Sequence, residues 1–149
     1  MRPERAHECE ARVAASFARQ TVMATIGARL LRVAPGEVEI VLPVDARLSQ
    51  QHGFVHAGIV ATIADSAAGY AALSLMRPGV GVLTAEFKIN LLAPAGGDEL
   101  IARGRVVKAG RTLTLALAEV HARKAGQEKL CAMLTATLMS VEGRDGVSD

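Results

Sequence analysis

The sequence predicts an α+β domain in which an antiparallel sheet wraps one long, nearly uncharged helix. Two observations lead there. Residues Ala57 to Met76 hold a single charged side chain, Asp65, so a helix made of them must be covered on most sides. The segments before and after that stretch alternate apolar and polar residues with a period of two, broken by Pro/Gly turns.

The elements follow in order. Glu4 to about Gln20 reads as a helix, with Val13, Phe17 and Gln20 at rough helical spacing, and Gly27 closes that region. From Ala28 the period becomes strand-like. Leu30 to Val33, the Pro35-Gly36 turn and the alternating Val38, Ile40 and Leu42 form a hairpin. Pro43 to Gly53 is a polar loop. The apolar helix then runs from Ala57 to Met76 and stops at Arg77-Pro78-Gly79. Leu83, Ala85, Phe87, Ile89 and Leu91 alternate with polar residues in the next strand. Glu99 to Ala109, Thr112 to Lys124 (with Leu113, Leu115 and Leu117 on one face) and Leu130 to Val141 complete the sheet, joined at Gly110-Arg111 and Ala125-Gly126-Gln127. The polar tail from Glu142 to Asp149 is expected to fray. No internal repeat or linker divides the 149 residues, so one domain over 1–149 is expected.

Composition narrows the function. Half of the residues are apolar but only 3% are aromatic, so the core rests on Ala, Val, Leu, Ile and Met. A net charge of +2, with no basic run interleaved with aromatics, gives no footprint for nucleic acid. Residues 57–76 are long enough, at ~1.5 Å per residue, to cross a membrane. Asp65 near their middle and the many Ala, Gly, Ser and Thr argue for a buried helix and no membrane span. Cys9 and Cys131 belong to no metal or redox motif and read as reduced thiols. The N-terminus has no apolar signal-peptide core, so a cytoplasmic location is the expectation.

The chemistry concentrates in SQQHGFVHAGIVATIADSAAGY, residues 49–70. Asp65 has no basic residue at i±3 or i±4. A carboxylate in such apolar company is costly unless it is used, and desolvation would strengthen it as a base. Exposure on a helix face is the plainer alternative. The helix opens His56-Ala57-Gly58, where small side chains leave outward-pointing N–H donors accessible to a carbonyl or oxyanion. His52 and His56 sit four apart in a Gly-containing loop without Glu or Cys at ligand spacing, so no metal is expected. His56 is better placed to fix the loop by hydrogen bonds than to exchange protons. His7 and His121 read as surface residues.

This segment resembles the HGG-containing active-site helix of PaaI-like hotdog acyl-CoA thioesterases, and the later TAEFKINLLAPAGGDELIARGRVVKAGRTL resembles that family's strands. The resemblance covers nearly the whole chain. It implies the hotdog fold, hydrolysis of an acyl-CoA thioester, and no cofactor. It also implies a catalytic carboxylate nine residues after the motif histidine, which is Asp65, and an amide six residues before it, which is Gln50. The carbonyl-polarising N–H falls on Ala57, where the family usually has Gly; the donor survives that exchange. Gln50 stands where many members have Asn.

The resemblance further implies a homodimer, often paired into a tetramer, with Asp65 and the Gln50 loop supplied by different chains. Gly58, Phe54, Val55 and Tyr70 are candidates for the acyl site. Lys108 and Arg111 are candidates for the CoA phosphates, with solvated turn charges as the alternative. Two rivals stand beside this reading: a hydroxyacyl-thioester dehydratase using His56 and Asp65, and an acyl-CoA binding module without turnover.

Overall fold

A computed structural model describes residues 3–149, with side chains from His7 onward. Two helices lead, α1 (Pro3–Ala18) and α2 (Thr21–Ile26), followed by strands β1 (Arg29–Ala34) and β2 (Glu37–Pro43). A single 3-10 turn at Ala46–Leu48 precedes the central helix α3 (Ala57–Leu73). Strands β3 (Gly81–Leu91), β4 (Glu99–Ala109), β5 (Leu113–Lys124) and β6 (Gln127–Val141) close the chain. The six strands form one antiparallel sheet in the order β1-β2-β4-β5-β6-β3, and α3 lies across it against β2 through β6.

Small residues set the spacing between helix and sheet. Ala64, Ala67, Ala68 and Ala71 on α3 are fully buried against Ala102, Ala116, Ala118 and Ala132 of the sheet. At Gly104 the backbones touch: a Cβ there would stand 2.2 Å from the Ala67 carbonyl oxygen. The leucines of β5 accordingly take the other face. Leu113 and Leu115 are exposed, while Thr114, Ala116, Ala118 and Val120 of the same strand face the helix.

Several elements differ from the sequence expectation for local reasons. The N-terminal helical region is two helices, because Gln20 adopts extended backbone between them; Gly27, in the left-handed conformation, ends the second. α3 stops at Leu73 rather than Met76. Ser74 Oγ donates to the Ala71 carbonyl at 2.6 Å and accepts the Gly36 N–H at 2.7 Å. Arg12 donates to the Leu73 and Met76 carbonyls at 2.8 and 2.9 Å, so an N-terminal side chain caps the C-terminal end of α3. The β5–β6 turn uses only Ala125 and Gly126, both at positive φ, so Gln127 already begins β6.

The tail is docked rather than frayed. Asp149 accepts the Gly79 N–H at 3.0 Å and pairs with Arg12 at 3.4 Å. Val147 lies so close to Gly81 that a Cβ there would meet it at 2.5 Å. His121 is not a surface residue: its side chain is 19% exposed on the face of the sheet away from α3.

The alternation expected in β3 breaks once. A bulge at Ala85 makes Leu83 pair with Met139 and Thr84 with Leu138, while Phe87 pairs with Ala136. Leu138 and Ala136 are buried under α3. Thr84 and Phe87 therefore face the helix, and Leu83 faces away.

Candidate active site

Two groups of functional side chains lie at two places along α3. The first is the helix N-terminus. The loop before it is pinned by Gln50 N–H to the Phe54 carbonyl (2.8 Å), Val55 N–H to Ala95 (2.8 Å) and His56 N–H to Leu48 (2.9 Å). His56 is the N-cap: its Nδ1 accepts the Gly58 N–H at 2.9 Å. That bond fixes the ring with its remaining proton on Nε2. The His56 carbonyl takes the N–H groups of Ile59 and Val60. Of the first four N–H groups of α3, the one on Ala57 has no acceptor among the described residues.

Gln50 stands beside it. Its Oε1 accepts the His52 N–H, which leaves the amide NH2 as its free end. Gln50, Phe54, Val55 and Ala57 line one cavity of about 410 Å³, together with Leu91 at the end of β3 and the buried Cys131. Two N–H donors thus border one apolar-walled space. Such an arrangement can receive a carbonyl oxygen and hold the negative charge that develops on it.

The second group surrounds Asp65, eight residues further along. At ~1.5 Å per residue this is ~12 Å from Ala57, too far for one protomer's two groups to meet on one carbonyl. Asp65 is half-buried, and the Thr84 hydroxyl donates to its Oδ1 at 2.8 Å. Burial pushes the carboxyl above its ordinary range, and the Thr84 hydrogen bond opposes that shift. Asp65 opens into a separate cleft of about 270 Å³. Tyr70 lines this cleft and packs on Phe17 with ring centroids 5.7 Å apart.

The structure therefore gathers Gln50, Phe54, Val55, Ala57, His56 and Gly58 at one place and Asp65 with Tyr70 at another. Lys108 is the second-last residue of β4, and Arg111 lies in the turn beside Ala72, Met76 and Arg77, at the far end of α3 from Ala57. Sequence reading missed Thr84, whose side of the strand depends on the bulge. It also missed Ser16, Arg19 and Gln20, which reach the Asp65 cleft from the joint between α1 and α2.

Comparison with known proteins identifies the class. The thioesterase superfamily profile matches residues 52–129. A thioesterase family protein from Silicibacter pomeroyi is 54% identical, with a TM-score of 0.89 over 91% of this chain and 99% of that one. A putative esterase from Halobacterium salinarum is 33% identical over 100 residues, covering 64% of this chain and 66% of that protein. Human acyl-coenzyme A thioesterase 13 is 29% identical over 66% of this chain and 70% of its own. The E. coli PaaI protein, 22% identical with a TM-score of 0.84 over 93% of this chain and 96% of that one, shows the same fold. The chain belongs to the thioesterase superfamily: it has the hotdog fold and is a thioester hydrolase. Among the described residues, no helix is long and apolar enough to cross a membrane.

Proposed function

We propose that the protein hydrolyses acyl-CoA thioesters at sites shared between two copies of the chain, with Asp65 as the catalytic carboxylate. The observation that carries this reading is the pair of half-sites and their places along β3. Thr84 and Val82, near the start of β3, border the Asp65 cleft; Leu91, at its end, borders the Gln50–Ala57 cavity. β3 is a sheet edge of 11 residues, and Phe87 and Leu91 on it are exposed. An exposed edge of that length invites a second strand. Two β3 strands paired antiparallel about a two-fold axis exchange their ends. The Asp65 half of one protomer then faces the Gln50–Ala57 half of its partner, twice per dimer. The exposed Leu83, Leu113 and Leu115, on the face away from α3, supply a surface on which two such dimers join into a tetramer.

In this site the thioester carbonyl accepts hydrogen bonds from Ala57 N–H and the Gln50 amide. Asp65, with one oxygen held by Thr84, takes a proton from water as the oxygen of that water bonds to the carbonyl carbon. The tetrahedral oxyanion rests on the same two donors. On collapse the C–S bond breaks, and the CoA sulfur leaves with the proton held by Asp65. Direct attack by Asp65 would instead form a mixed anhydride. The anhydride forms as CoA thiolate leaves and is then hydrolysed by water; 18O carried into Asp65 during a single turnover in 18O-water identifies that route.

His56 positions the loop through its cap and does not touch the carbonyl. The free, buried Cys9 and Cys131 suit a reducing cytoplasm. The deciding experiment is CoA release from aryl, short-chain and long-chain acyl-CoAs by wild type and Asp65→Asn. A loss of at least ~100-fold in the variant supports the assignment. Equal rates, or no release by wild type, would overturn it.

A further inference from the structure

The lining of the Asp65 cleft includes polar groups that the thioester chemistry does not use. Ser16, Arg19 and Gln20 line it from the α1–α2 joint, Ser66 from α3 and Ser148 from the docked tail. Apart from Ser66, these residues lie outside the stretch matched by the superfamily, residues 52–129. Ser16, Arg19 and Gln20 act on Tyr70. Burial pushes the Tyr70 hydroxyl above its ordinary range, against a hydrogen bond with Ser16, the charge of Arg19 and a hydrogen bond with Gln20. Ser66 Oγ donates to Gln20 Oε1 at 3.3 Å, which ties the Gln20 amide to α3 beside Asp65.

Among the described residues, Arg19 is the single cation of the lining. Its guanidinium donates to the Ala15 carbonyl at 3.3 Å and pairs with no carboxylate among the described residues. A long alkyl chain placed here would strip water from hydroxyls, an amide and a guanidinium without replacing those hydrogen bonds. The volume is also small. An apolar cavity of about 150 Å³ holds a benzene, so about 270 Å³ accepts a compact acyl group. Among the described residues, Asp65 is the one carboxylate of the lining and Arg19 the one cation, so the cleft offers one charge of each sign.

We propose that the cleft selects acyl thioesters whose acyl group ends in a second carboxylate, the monothioesters of short dicarboxylic acids, with Arg19 binding that carboxylate and Ser16 and Gln20 adding hydrogen bonds. The Arg19 guanidinium is exposed in the free protomer; its pairing with a carboxylate is geometrically specific and strengthens where a bound acyl group excludes water. The inference rests on the reading of Asp65 as the catalytic carboxylate, because that reading puts the acyl group in this cleft.

The test compares adipyl-CoA with hexanoyl-CoA and suberyl-CoA with octanoyl-CoA, pairs of equal chain length that differ in the terminal carboxylate. Wild type, Arg19→Gln, Arg19→Lys and Asp65→Asn are assayed together. The expected wild-type preference in kcat/KM for the carboxylated member is at least tenfold, carried by KM and weakened by salt. Arg19→Gln brings the ratio close to one, and Arg19→Lys keeps part of it. A wild-type ratio at or below one, or a ratio that Arg19→Gln leaves intact, overturns the proposal. If Asp65→Asn abolishes turnover while the ratio is at or below one, the catalytic assignment stands and only the recognition proposal falls. If Asp65→Asn retains full turnover, the catalytic assignment falls and the recognition proposal falls with it.

Discussion

The Thr84 hydroxyl donates to Asp65 Oδ1 at 2.8 Å, strand to helix, because β3 steps out of register at Ala85. Without that extra residue the alternation that turns Phe87 toward α3 would turn Thr84 away from it. A one-residue bulge therefore gives the only protein hydrogen bond that Asp65 makes through its side chain among the described residues.

Removing that bond changes the pH profile in a defined direction. The Thr84 hydrogen bond lowers the carboxyl pKa, while burial raises it. Thr84→Val keeps the shape and deletes the donor. Asp65 then protonates at higher pH, and the acid limb of kcat/KM moves up relative to wild type. Loss of the Thr84 anchor also leaves Asp65 less well oriented toward the water, so kcat above the limb is expected to fall. A pH–rate profile of the two proteins checks this, and an acid limb that stays in place or moves down would show that Thr84 does not tune Asp65.

Asp65 should also weaken the fold that carries it. Its folded pKa lies above the ordinary 3.8, so between those two values the folded chain binds more protons than the unfolded chain. Stability consequently falls as pH rises through that window, and the loss is complete above it. Asp65→Asn removes the desolvated charge and keeps an acceptor for Thr84. At pH 7 it is expected to melt at a higher temperature than wild type while losing at least ~100-fold in kcat. The stability gain should vanish toward pH 3, where both states are protonated. Thermal melts across pH settle the matter; a variant less stable than wild type at pH 7 contradicts the argument.

How far the sequence carries can be judged at these residues. A lone charge in a 20-residue apolar stretch marked Asp65 and the central helix, because periodicity and charge are local properties of the chain. The shortage of aromatics showed a core of small and aliphatic residues, and such a core allows the close approach of helix and sheet at Gly104 and Ala67. Thr84 was illegible because its face depends on a bulge set by pairing with β6, which alternation cannot register. The leucines of β5 were legible only in part. Their spacing showed that they share a face but not that Ala116 and Ala118 would take the helix side. Arg19 and Gln20 reach the Asp65 cleft only through a break between two helices that pattern alone merged.

Two glycines near α3 should respond in opposite ways to the same substitution. Gly104→Ala puts a Cβ 2.2 Å from the Ala67 carbonyl oxygen and 2.7 Å from the Ala68 nitrogen, both backbone atoms that cannot step aside. Overpacking of this kind costs ~1–3 kcal/mol or more, a fall of at least ~2–10 °C in Tm. Gly69 lies in α3 on the wall of the Asp65 cleft with nothing within 4 Å of its would-be Cβ. Gly69→Ala should gain up to ~1 kcal/mol from helix propensity. The added methyl narrows the cleft, so KM should rise as Tm rises. A lower Tm in Gly69→Ala, or an unchanged Tm in Gly104→Ala, would show that the helix–sheet contact is placed wrongly.

Ala57→Pro isolates the backbone donor. Ala57 is the first residue of α3, the one helical position where proline is well tolerated because its N–H has no intrahelical partner. The residue before a proline must be extended, and His56 already is, at φ −58° and ψ 138°. The His56 cap on Gly58 does not involve the Ala57 nitrogen. The substitution therefore deletes one N–H and leaves the helix, the cap and Asp65 in place. Loss of one oxyanion donor costs ~100–1,000-fold in kcat. Circular dichroism and thermal melting should match wild type while kcat falls by that factor. Ala57→Gly, which restores the residue usual in the family and keeps the donor, should remain active. If Ala57→Pro folds normally and turns over at the wild-type rate, the carbonyl is not held at the N-terminus of α3, and the Gln50 amide would be the group to test next.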